Sequence, residues 1–154
     1  MLRIGIRALS ERRLTDLTIL CRGVPVGRAP LLLRSDEHGA IRLDVGTAVA
    51  LPAFDATIGD AVRRYEEAEA AWIGLKYPEA AGAEARVKAA WSAVCELWAT
   101  LELQDERGTI LPIPVDGFMG QSLSANFDEV PASVLARLRD EYGGEKDADP
   151  PPAQ

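Results

Sequence analysis

Glu66 and Glu69 sit three residues apart in RRYEEAEAAW. They are the nearest thing in this chain to a catalytic pair. On a helix turning roughly 100° per residue, Glu67 points away from the apolar stripe and Glu66 lies near its margin. Glu69 falls inside the stripe, beside Val62, Tyr65 and Trp72. A carboxylate there needs a partner, a route to solvent or a proton. Carboxylates at this spacing could serve a small metal-dependent hydrolase. Such a site needs a second acidic pair on a facing helix, and Glu84 and Glu96 are too far apart to supply it.

Other chemistry is scarce. His38 is the single histidine and lies in a polar turn, with no marked nucleophile beside it for a Ser–His or Cys–His device. Cys21 and Cys95 are far apart, which favours reduced, buried thiols over a disulfide framework. One histidine and two scattered cysteines cannot build a four-ligand zinc site. No phosphate-binding glycine motif follows a strand. DGFMG has glycines but no lysine or helix N-terminus to hold an anion. No cofactor is expected.

Charge narrows the partners. The formal net charge is −7, yet residues 1–34 hold seven arginines against Glu11 and Asp16. A globally acidic chain argues against nucleic acid as the main ligand. Arg3, Arg7, Arg12 and Arg13 are the residues a local nucleic-acid contact would use. No apolar run approaches the roughly 18–20 residues that span a bilayer, and the N-terminus lacks the apolar core of a signal peptide. A cytoplasmic protein with no membrane contact is expected.

The elements that must position these residues follow from periodicity. LTILCRGVPVGRAPLLL reads as a hairpin turning near Arg22–Gly23, and AIRLDV as a third strand. Pro25 and Pro30 suggest an edge or bulged strand. Leu2–Ile6 could add another. Phe54, Ile58, Ala61, Val62, Tyr65, Ala68 and Trp72 predict a helix over 54–75, ended by Pro78. Val87, Ala90, Trp91, Val94 and Trp98 predict a second over 83–98, antiparallel to the first. Their tryptophans read as core between the helices and a sheet. TLELQDERGTILPIPV gives a C-terminal hairpin and SLSANF one more strand. A final helix should start near Pro131 and stop at Gly143.

These segments predict an α+β domain over 1–143. An antiparallel sheet would come from the N- and C-terminal hairpins, covered by the central two-helix hairpin, with a short C-terminal helix. Residues 144–154, acidic and rich in proline, read as a disordered tail.

The weak catalytic inventory leaves a non-catalytic protein-binding module as the leading expectation. It would be an accessory, adaptor or neutralising subunit of a larger bacterial or phage assembly. The partner would be another protein, in a hetero-complex or a homo-oligomer. Ile113 and Val115 lie in a strand apolar on both faces. Phe118 and Met119 occupy a glycine-bracketed turn; they either fold back onto the core or, where they do not, are the first candidates for partner contact.

Overall fold

The computed structural model describes residues 10–35, 38–76 and 78–147. The chain is α+β, as its segment pattern predicts. Two 12-residue strands, β1 (Ser10–Cys21) and β2 (Val24–Ser35), form the long N-terminal hairpin. Its turn places Arg22 at φ 52° and Gly23 at φ 83°. Two successive positive φ values mark the type I′ turn, whose twist matches that of the flanking strands.

β3 (Ile41–Val45) and β4 (Val49–Ala50) pair with the outer side of β2. β5 (Leu101–Gln104) pairs with β1, and β6 (Ile110–Leu111) with β5. The order is β3–β2–β1–β5–β6, with β4 also on β2. A separate hairpin, β7 (Val115–Phe118) and β8 (Leu123–Ala125), packs near β5 and β3.

The prolines do not make β2 an edge strand. Pro30 sits where β3 gives way to β4, and its carbonyl accepts from the Gly46 N–H at 3.0 Å. Pro25 adjoins a register shift between Ile19 and Leu20. A missing N–H is tolerated at such interruptions. The bulged alternative is the one observed.

After β4, a π-helical turn (Asp55–Gly59) runs into α1 (Asp60–Trp72). The Thr57 hydroxyl donates to the Ala53 carbonyl at 2.8 Å and to the Phe54 carbonyl at 3.2 Å. It thereby satisfies acceptors that the widened turn leaves open. α2 (Glu79–Trp98) begins directly after Pro78, earlier than Ala83, and takes Gly82 into its first turns. Proline is well suited to a helix start, since N–H groups there have no intrahelical partner anyway.

α3 (Ala132–Asp147) runs through Gly143 instead of stopping there. Glycine inside a helix costs about 1 kcal/mol relative to alanine, which weakens a helix without ending it. Residues 144–147 are therefore helical. The expected strand at Leu2–Ile6, Arg3, Arg7 and the tail from 148 onward lie outside the described residues.

The core joins the inner face of the six-stranded sheet to the β7–β8 hairpin and α3. Leu17, Ile19, Val26, Leu31, Leu103 and Phe118 have no exposed surface, and Leu138 of α3 is 1% exposed. The π turn contributes Ile58, and Phe54, Val62, Leu97 and Trp98 pack against the same core. The helical hairpin meets the body at this base. Further along, α1 and α2 pack mainly on each other, and Ala83 and Val94 are the only fully buried positions in either helix.

Candidate functional site

The two helices and the β7–β8 hairpin share one aromatic surface. Tyr65 of α1 lies against Trp91 of α2, with ring centroids 5.0 Å apart. Trp91 meets Trp98 edge-on at 5.4 Å and 89°. These are the tilted and T-shaped geometries that ring quadrupoles favour. Trp98 Nε1–H donates to the Phe118 carbonyl at 3.1 Å, which fixes the indole against β7. Gly117 permits that approach, because a Cβ there would lie 3.3 Å from three ring carbons. Trp91 remains 42% exposed, so the expectation that all three tryptophans are core holds poorly for it. A tryptophan packed by its neighbours yet open on one side is a common anchor of interfaces.

The surface continues onto the β7–β8 tip. Gly120 at φ 94° makes the reversal, closed by the Met119 N–H donating to the Ser122 carbonyl at 3.0 Å. Met119 is 47% exposed. A cleft of about 310 Å³ runs between Trp98 and this tip, bounded also by Met119, Leu123, Asp116 and Ser124.

The partner-binding residues expected from sequence thus divide. Met119 is at the surface and Val115 is half-buried. Phe118 takes the fold-back alternative and belongs to the core. It has no exposed surface and packs edge-on to Phe54 at 5.2 Å. Its ring covers Gly27, where a Cβ would meet ring carbons at 2.4 and 2.7 Å. Ile113 is likewise core, at 4% exposure. Strand alternation explains Ile113, since Leu111 and Ile113 turn inward while Ile110, Pro112 and Pro114 turn outward; Phe118 follows a register shift between Val115 and Gly117 that breaks this alternation.

The carboxylates of α1 do not converge. Glu66 and Glu67 are exposed, and Glu67 lies 3.8 Å from Arg63. Glu69 is half-buried as the stripe predicts, but its partner is the Tyr65 hydroxyl, which donates to it at 3.0 Å. That bond, with burial, raises the Tyr65 pKa. Among the described residues no three metal-ligating side chains come together. Arg13 pairs with Asp16 three residues along the strand, and Arg12 is half-buried on the same strand. His38 is exposed in its turn. Cys21 is buried, with its Sγ 3.5 Å from the Thr100 hydroxyl, whereas Cys95 is exposed, against the expectation for it.

One polar cluster has no counterpart in the sequence reading. The buried Asp105 carboxylate accepts from the N–H groups of Arg107 (2.9 Å) and Thr109 (2.8 Å), closing the β5–β6 turn. From α3, the Tyr142 hydroxyl donates to the same carboxylate. Arg107 pairs with Glu141, and its guanidinium lies 5.1 Å from the centre of the Tyr142 ring. Burial alone would push the Asp105 carboxyl up. The bonds from Tyr142, Thr109 and Arg107 outweigh it and hold its pKa below the ordinary value. Burial and then the Asp105 bond push Tyr142 up to about 12. A polar cleft of about 460 Å³ adjoins this cluster. Since the cluster's strongest bonds are to itself, it acts as a latch joining α3 to the sheet.

No helix among the described residues is long and apolar enough to cross a membrane. Compared with protein-family models, curated proteins and solved structures, the chain matches none.

Proposed function

We propose that this chain is a non-catalytic protein-binding module, an accessory, adaptor or neutralising subunit of a larger assembly. The observation that supports it best is the aromatic face of Tyr65, Trp91 and Trp98, extended by Met119. Three of these four residues belong to a helical hairpin that meets the body at its base. Aromatic and methionine side chains are the types enriched at interface centres.

The test is capture of companions by the tagged full chain from its native host, run beside a Trp91→Ser/Met119→Ser variant. A stoichiometric companion retained by the parent and lost by the variant, with both melting within a few degrees of each other, supports the reading. A companion held equally by both, or none at all together with a monomeric chain, sinks it.

A further inference from the structure

We propose that the cleft between the end of α2 and the β7–β8 hairpin receives an arginine side chain from a basic segment of the protein partner. The inference rests on the protein-binding reading above and adds the chemistry of what is bound. The cleft, at about 310 Å³, is at the small end of ligand pockets and suits one long side chain better than a cofactor. One wall is the Trp98 indole, held in a fixed plane by its bond to the Phe118 carbonyl. Met119 and Leu123 add apolar surface for an aliphatic stem.

The rim is anionic. Asp116 is exposed at the mouth and makes no ion pair among the described residues. It also borders a second cleft of about 380 Å³, whose lining adds Asp44, which is paired with Arg34, and Asp128, which like Asp116 makes no ion pair among the described residues. Arg42 already leans toward Asp44, at 3.9 Å. The local field is therefore negative, in keeping with a net charge of −7, and it favours a cationic approach. A guanidinium satisfies the arrangement better than an ammonium. It is flat enough to stack on an indole, more weakly hydrated, and able to fork onto a carboxylate.

The experiment titrates the full ¹⁵N-labelled chain with three capped peptides, acetyl-Leu-X-Leu-amide, where X is arginine, lysine or neutral citrulline. The arginine peptide should shift the Trp98 indole N–H signal saturably, and less as salt is raised. The citrulline peptide should shift it little. Asp116→Asn should weaken arginine-peptide binding up to about fivefold, the range of one exposed ion pair, and leave the melting temperature unchanged. Equal shifts from arginine and citrulline peptides, or undiminished binding by Asp116→Asn, overturn the inference. Lysine binding as tight as arginine overturns the choice of guanidinium. If the peptide titrations fail while Trp91→Ser/Met119→Ser still loses the companion, only the arginine inference fails; if that variant keeps the companion, the binding reading fails as well.

Discussion

Leu17 of β1 and Trp91 of α2 are both large apolar residues at regularly spaced positions, yet Leu17 is sealed while Trp91 keeps 42% of its surface. The difference lies in what each element has to pack against. β1 has β2 on one side, β5 on the other, and a core layer of Ile58, Phe118, Val130 and Leu138 over its face. α2 has α1 along its length and the body only at its end. Two helices alone can bury a narrow seam, here Ala83 and Val94, and the flanks of the stripe stay open. The same periodic apolar pattern therefore builds a core in one region and a surface in the other.

The sharpest test of this contrast is Phe118→Ala. Removing a fully buried ring should cost about 3–5 kcal/mol, read as a lower midpoint in urea. A loss under about 1 kcal/mol would mean the hairpin is not part of the core. Next comes Tyr142→Phe, which removes one donor from a buried carboxylate and should cost about 1–2 kcal/mol.

That variant also has a pH signature. Because Asp105 titrates below an ordinary carboxyl, the unfolded chain binds a proton that the folded chain does not. Its contribution is present above the ordinary carboxyl range and fades as pH falls through the folded value. Tyr142 runs the other way. With its pKa raised to about 12, its contribution is present below about pH 10 and fades as pH rises toward the folded value. Tyr142→Phe should flatten both limbs of the stability–pH profile, and an unaltered profile would refute the latch.

The smallest expected effect is that of Trp91→Ser. It forfeits partial burial and two ring contacts, for about 1 kcal/mol. If instead it destabilises as much as Phe118→Ala, the aromatic face is core and the contrast between the regions collapses.

Much of the architecture was readable from local pattern. The Arg22–Gly23 turn, the two helical stripes and the segregation of strands from helices all depend on neighbours in sequence. β1 and β2 proved longer than their apolar stretches because pairing carries through SERR, where alternation is absent. The site was only partly readable. Met119 and the tryptophans were identifiable by type, but whether a large residue faces core or solvent depends on distant chain. Phe118 is buried because Gly27 leaves room for its ring, a match no local window contains. The Asp105–Tyr142 bond joins residues 37 apart. Its one sequence trace was an aspartate two residues before Arg107–Gly108, easily taken for ordinary turn chemistry.

The contact between Cys21 and Thr100, 79 positions apart, bears on how fast this chain can fold. β1 cannot pair with β5 until the long segment between them has been gathered in, and closing long loops slows folding. Helices form within about a microsecond, and an antiparallel pair brings its two ends together. Early formation of α1 and α2 would thus shorten the effective separation and act as a splint for the sheet. This predicts that Ala85→Gly and Ala89→Gly, both exposed on α2, slow refolding more than they speed unfolding. Stopped-flow chevrons in which only the unfolding arm moves would show that the sheet closes without the helices.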